Sequence, residues 1–558
     1  MTFLSPSRAP AFLCILILLA CGLVVSTYKY FGHTWDEPEH LSAGMELLDR
    51  GAYTHDIQHP PFARLAIALG PYLDGSRSFN EPGPSGEQEG REILYQSGHY
   101  DRTLALARLG VLPFFIVMIL AVWLWAKRWF GTPQALLACL FLISAPPVLG
   151  HAGIAALDIP GSALCVFALY WLFRWIESAS LLHAMAFGFT AGLAVGSKLY
   201  AIPYLGICVF ALLAFGMLVT PRSADFSRVL RRERVSSALA ALASVAIVLV
   251  LVYGGNFETI RTPGNQLRGA VEYILGSQGA LHNAAISAVT RIPIPLAFEK
   301  LVFGIKMLEQ HNTGGHFSYL LGQVSASGWW YFYPVDLAIK TPLPLLVFGA
   351  AGLVWLLLRG WKSRNWLTAA PAVCFFSILT FCALYSHINI GIRHVLILYP
   401  FMAIAAAQMV VTCWQRSRRL HSHALIGALL LLQASVLWTA FPDYFAYFNP
   451  IAARHPERFV VDSDLDWGQD LRRLERAAKE RGIQELWLAY RGTAAPWLEP
   501  MPHYQLLFPN HPVTGWVAIS LLAKEEERKG YSWLNAYTPV QRVGKSIDIY
   551  HIPDAGVP

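Results

Sequence analysis

The sequence is short of charge. Only 14% of its 558 residues are Asp, Glu, Lys or Arg, against about 25% in an ordinary soluble domain, which excludes a wholly water-facing globule. Cysteine is missing wherever a polar segment would use it as a staple. All eight (14, 21, 139, 165, 208, 374, 382 and 413) fall in apolar runs, so the long polar segments contain no disulfides, and no Cys/His spacing suggests a metal site. The short basic loops hold no glycine-rich phosphate cradle, which turns the reading away from a cytosolic nucleotide-bound substrate. No repeat or low-complexity tract is present.

What is there is apolar: 55% hydrophobic residues, 13% of the chain aromatic. A run of about 18 apolar residues crosses a hydrocarbon core of about 30 Å as a helix. Eleven such runs are read, near 11–28, 104–126, 134–150, 160–175, 183–198, 201–219, 236–253, 341–358, 366–384, 395–412 and 423–440. The first has a lone Arg8 before it and no small-residue cleavage site after it, unlike a secretory signal. Lys127-Arg128 and the basic stretches 222–234, 359–364 and 416–419 all fall on one side of an eleven-span arrangement. Cytoplasmic loops hold the excess of Lys and Arg, so the N-terminus is expected inside. The net charge of +7 mostly reflects these loops and gives no case for nucleic acid.

The expected fold is an α-helical polytopic membrane protein with about eleven transmembrane helices over 1–440, followed by a small α/β domain outside the membrane over 441–558. The polar segments lie outside: a first loop at 29–103, a second large one at 254–340, and the C-terminal domain. In the first loop, "HPPFARLAIALGPYL" predicts an amphipathic helix in the interface, and "RSFNEPGPSGEQEGRE" a mobile tip. In the second, "GNQLRGAVEYILGSQGALHNA" and "PLAFEKLVFGIKML" have helical periodicity. "GWWYFYP" reads as an interfacial aromatic belt. Beyond 441, "DWGQDLRRLERAAKERGI" predicts a helix, "QELWLAY" and "TGWVAISLL" strands, and "GKSIDIYHI" a final edge strand.

Ionisable groups at a bilayer boundary are costly and are functional candidates by default. On the outer side these are Asp36 and Glu37 in "TWDEPEHLSAG", His59, Asp158, Lys198, Lys340, Arg393 and His394. Carboxylates beside cations suit one reaction: moving a sugar from a lipid phosphate to a hydroxyl, where a carboxylate takes the acceptor proton and cations stabilise the departing phosphate. A single displacement with the base opposite the leaving group inverts the anomeric centre. The acids Asp462, Asp464, Asp466 and Asp470 lack the Gly and terminal Glu of an EF-hand. A transporter or flippase of polyprenyl-linked lipid is the competing reading. It would be marked by inverted repeats and charges near mid-membrane, whereas these charges stand at the outer ends of spans.

Six segments in order, "TWDEPEHLSAG", "HPPFARLAIAL", "ALDIPGSAL", "GLAVGSKLYA", "GWWYFYPVDLAIKTPLPLL" and "INIGIRHVLILYPFMAI", resemble bacterial members of the dolichyl-phosphate-mannose protein mannosyltransferase superfamily, glycosyltransferase family 39, with the GT-C membrane fold. "YFNPIAARHPERFVVDSDLDWGQDL" is similar to the start of the outer domain in one bacterial branch. The resemblance implies Asp36 as general base, Glu37 orienting the acceptor or Asp36, Asp158 near the same site, and Lys198 and Arg393 at the lipid phosphate. His394, His59 and Lys340 join them as candidates for donor binding. His59 stands where related aminoarabinose transferases carry Lys, and no β-trefoil insert of the eukaryotic enzymes is present. The implied partners are a polyprenyl-phosphate sugar donor, membrane lipids, and an acceptor that is a protein, lipid or glycan. The lipid-linked sugar is a substrate, so no cofactor and no divalent metal is expected. The implied location is the cytoplasmic (inner) membrane.

Overall fold

A computed structural model describes residues 8–79, 85–96, 98–220, 235–259, 279–289 and 293–554. The protein is a polytopic helical membrane protein carrying a five-stranded sheet in its last hundred residues. The basic stretch 222–234 and most of "GNQLRGAVEYILGSQGALHNA" lie outside the described residues.

Among the described residues, eight helices are long and apolar enough to cross a membrane, or nine if one bent pair is counted as a single span. By length and composition alone that is fewer than the eleven runs read from the sequence, and the reasons are local. The third run breaks into Thr132–Ile143 and Pro146–Ala152, bent by 67°. Pro146 and Pro147 remove backbone donors and push Ala145 into an extended conformation, ψ 104°, which a continuous helix cannot accommodate. The groups freed at the break do not stay orphaned. Buried Gln433 donates to both the carbonyl and the hydroxyl of Ser144 (2.9 Å each) and accepts from Leu345 N (3.1 Å) at the start of another span. One amide thus closes two helix ends where no water is available to do so. Leu181–Val195 has only 15 residues. Leu398–Arg416 is long enough, but it is the protein-facing helix, buried almost continuously from Leu398 to Ala407 and carrying a Gln408–Thr412 hydrogen bond (3.1 Å). A helix that faces protein can carry polar groups that a lipid-facing one cannot.

The first outer loop is built, not slack. Helix Glu37–Arg50 packs on helix Phe62–Leu73, which buries Ala63, Arg64, Ile67 and Ala68. Part of the expected mobile tip is a helix, Gly86–Gln96, whose buried Glu89 accepts from Ser78 Oγ (2.6 Å) and Phe79 N (3.0 Å); residues 80–84 lie outside the described residues. "PLAFEKLVFGIKML" lies in helix Leu296–Gly314. The expected aromatic belt divides: Trp330 is exposed, whereas Tyr333 is buried and donates to Ile388 O (2.8 Å).

In the outer sheet the strand order is His503–Leu506, Glu485–Ala489, Gly515–Ser520, Ile547–Ile552, Gln541–Val543, with the first three parallel and the others antiparallel. The final strand is therefore not an edge, because the short Gln541–Val543 strand covers its outer side. Period-two alternation divides the sheet between two cores. Leu486, Leu488, Ala518 and Ile549 pack under helix Leu471–Glu480, and Val517, Ile519 and Tyr550 pack with Leu534 on the other face. The segment leading into this domain belongs elsewhere. Tyr444, Phe445, Val461, Leu465 and Trp467 share one hydrophobic core with the membrane helices.

Candidate active site

The site starts where the first helix, Ala9–Thr27, ends and the chain turns into "GHTWDEPEH". The turn at 34–37 sends its two acids in opposite directions. Glu37 points inward, fully buried. It accepts from Thr34 N (2.7 Å), from Ala155 N (2.7 Å), and from both arms of Arg108 (2.8 Å each). Burial alone would push its carboxyl up, but the Arg108 charge and these hydrogen bonds hold it below the ordinary value. The bidentate fork and the Ala155 amide tie the first outer loop, a membrane helix and the short connection at 153–157 to one carboxylate. With Glu37 fixed, Asp36 is left facing the mouth, 27% exposed.

There Asp36 meets Arg393, from the other end of the chain. Arg393 Nη1 donates to Asp36 Oδ2 at 2.6 Å. The arginine is 11% exposed, and its Nε is buried without a partner among the described residues. A buried N–H with no acceptor is expensive, so this guanidinium has donor capacity to spend on a ligand. The loop that presents it turns at Gly391, φ +126°, where an added Cβ would lie 2.6 Å from Ser463 Oγ; only glycine fits.

The second ion pair is Lys198 Nζ to Asp158 Oδ1, 2.5 Å. Asp158 opens helix Asp158–Ser178, where a carboxylate is favoured by the helix dipole. Gly161, one turn in, lets the 198–200 turn lie close; a Cβ there would meet Tyr200 Oη at 2.8 Å. Tyr200 in turn donates to Asp158 O (3.1 Å), and Tyr204 donates to His394 O (2.7 Å).

The remaining predicted residues are placed less directly. His59 is partly buried beside His40 (ring centroids 6.1 Å), and loss of solvation pulls it down to about 3, with the charges of Arg64, Lys198 and Arg393 pushing the same way. His394 is likewise partly buried, and loss of solvation and the Arg393 charge hold it well below its ordinary value, its ring 3.5 Å from Tyr333 Oη. Lys340 is apart from the mouth. It is fully buried and donates to Phe445 O (3.0 Å) and Asp464 O (2.6 Å). The acids of "DSDLDWGQDL" mostly serve as joints: Asp464 accepts from Ile392 N (3.1 Å), Asp466 from Leu522 N (2.8 Å), and Asp470 from Lys545 N (3.1 Å). Among the described residues no cluster of three metal-ligating side chains occurs.

Sequence reasoning missed Arg108, Arg64 and Trp467. Arg108 had a signal, since it is a charge within a run read as a span, and the rule that flagged Lys198 applies equally to it. Arg64, fully buried, is ion-paired with Asp56 and donates to Tyr53 Oη (2.8 Å). Trp467 had none, because nothing local says that a tryptophan in a soluble stretch faces the membrane site.

Neither a family model nor a curated protein matches the chain. Among solved structures, similarity is found to ArnT from Cupriavidus metallidurans in the apo state, with TM-score 0.49 and 13% identity over 99% of this chain and 100% of that one. It is also found to the oligosaccharyltransferase AglB from Archaeoglobus fulgidus in complex with an inhibitory peptide and a dolichol-phosphate, with TM-score 0.47 and 15% identity over 82% of this chain. The match spans 57% of AglB's length. The S. cerevisiae Pmt1-Pmt2 protein O-mannosyltransferase complex bound to the sugar donor is more distant, with TM-score 0.33 and 17% identity over 46% of this chain and 34% of that one.

Proposed function

We propose that the protein is a membrane glycosyltransferase that moves a sugar from a polyprenyl-phosphate donor to a hydroxyl of a protein, lipid or glycan at the outer face of the membrane, with inversion. The observation that supports this reading is the Arg393–Asp36 pair, a forked cation and a carboxylate 2.6 Å apart at the mouth, with one buried N–H of the arginine unspent.

Asp36 takes the proton of the acceptor hydroxyl while that oxygen bonds to C1 of the sugar. The C1–O bond to phosphate breaks on the opposite face, and its electron pair leaves with the polyprenyl phosphate. Arg393 and Lys198 hold that phosphate and offset its charge as the bond breaks. Asp158 fixes Lys198 in place, and Glu37 fixes the turn that carries Asp36. This chemistry calls for no cofactor and no divalent metal.

Removing a cation removes a charge-assisted contact, so Lys198→Ala or Arg393→Ala should lower donor use about ten- to a hundredfold. Arg393→Lys should restore only part of it, because a point charge replaces a planar fork. The measurement is release of polyprenyl phosphate from a labelled donor by detergent-solubilised protein. Wild-type kinetics in both alanine variants would move the phosphate site elsewhere.

The reading also has the N-terminus inside and the C-terminal domain outside a cytoplasmic (inner) membrane. Compartment-reporting fusions after Arg416 and after Ile552 should report opposite sides. The same compartment for both would refute that orientation.

A further inference from the structure

We propose that Trp467, from the segment that leads into the outer domain, is a positioning residue for Arg393, so that this segment completes the site. The inference rests on reading Arg393 as the phosphate contact.

Arg393 Cζ lies 4.3 Å from the centroid of the Trp467 indole. The ring is held from behind: Phe445 stacks on it at 5.6 Å with planes 11° apart, and His151 lies 6.2 Å away. An arginine side chain has many rotamers, and a tryptophan face within about 6 Å is the strongest of the aromatic partners for a cation. The ring leaves the in-plane N–H groups free for a carboxylate on one side and a phosphate on another, which a hydrogen-bonding partner in the same place would not.

The same short segment reaches both halves of the site, one through side chains and the other through backbone carbonyls. Asp464 Oδ1 accepts from Ile392 N (3.1 Å), and Ser463 Oγ donates to Ile390 O, which pins the loop on either side of Gly391. Trp467 O accepts from Trp35 N, and Gln469 O accepts from Gly32 N, each at 3.0 Å, which pins the turn that carries Asp36. Thr493 Oγ1 adds a hydrogen bond to Trp35 O (3.0 Å). Lys340 is the foundation of this segment through its bond to Asp464 O. The partners of the Asp36–Arg393 pair are thus 357 residues apart in sequence and are both referenced to residues 463–469.

The test is a cycle of variants in the full chain, read as donor KM and kcat alongside the melting temperature. Trp467→Leu should raise donor KM about tenfold, and Trp467→Phe, which keeps a ring face, should stay within about threefold of wild type. In an Arg393→Ala background the Leu change should add less than about twofold, because its target is gone. A merely structural role would lower the melting temperature and the active fraction, hence apparent kcat, while leaving KM alone. Equal KM penalties in both backgrounds, or a wild-type KM in Trp467→Leu while Arg393→Ala is impaired, would overturn the inference and leave the proposed reaction standing. A wild-type donor KM in Arg393→Ala would remove the phosphate assignment and the inference with it.

Discussion

Replacing Asp36 by Asn should abolish most transfer while leaving the protein folded and donor binding intact. Asn keeps the size of the side chain and can still accept from Arg393 Nη1 through its carbonyl oxygen, but it cannot take a proton. Loss of a general base costs about 10²- to 10⁴-fold in rate. The Asp36 carboxylate accepts from Arg393 through Oδ2, and Oδ1 receives no hydrogen bond from the described residues, which leaves it for the acceptor proton in the proposed mechanism. In the proposed mechanism the donor phosphate is held by Arg393 and Lys198, so donor KM should move little. Asp56, which the sequence presents as an ordinary acid of the same loop outside the motif, is no neutral control, because it pairs with fully buried Arg64. Glu92, whose hydrogen bond is to exposed Gln88 (3.1 Å), is suitable, and Glu92→Gln should retain activity within about twofold, as surface changes away from buried networks generally have small effects. Full transfer by a folded Asp36→Asn variant, measured with the true acceptor, would sink the mechanism.

Glu37→Gln should fail differently, in the fold. The change leaves Arg108, 1% exposed, as a buried charge facing a neutral amide, and breaking a buried pair from one side costs about 3–5 kcal/mol. That is a large share of the about 5–15 kcal/mol by which domains are stable. The melting temperature and yield should fall sharply, and whatever activity remains should track the folded fraction. The double variant Glu37→Gln, Arg108→Met removes the orphaned charge and should recover part of the loss. Because Glu37 is held below the ordinary glutamate value, its contribution is fully present above that value and is lost only as pH falls through the lower folded value. The extra sensitivity of the variant relative to wild type should therefore be constant from pH 7 to pH 5 and shrink only in stronger acid. A Glu37→Gln protein as stable as wild type would show that the Arg108 network carries no net stability.

The membrane helices were legible because hydropathy is a local signal, and the outer helices and strands because each has its own period and stop residues. The legibility ended where long-range contacts override local rules. Pro146-Pro147 is visible in the sequence, but that a span tolerates a 67° bend there depends on Gln433, almost three hundred residues later. The final strand reads as an edge because a three-residue strand such as Gln541–Val543 has too little pattern to be seen. Asp36, Asp158, Lys198 and Arg393 were found through one physical rule, that charges at a bilayer edge need a reason. The geometry adds which of them pair. Glu37 and Asp36 are adjacent and chemically alike, and nothing in "WDE" says which faces in.

The pinning of the loop around Gly391 by residues 463–469 sets an order on biosynthesis. A nascent chain that has threaded every helix into the bilayer still has Arg393 on an unanchored loop and the Asp36 turn without its backbone partners. The site exists only after the last hundred residues have crossed to the outer side and folded back onto the membrane portion. On the proposed function, the enzyme is silent until residues 463–469 have docked, and a truncation before residue 463 that spares every membrane helix should be as inactive as one that removes them.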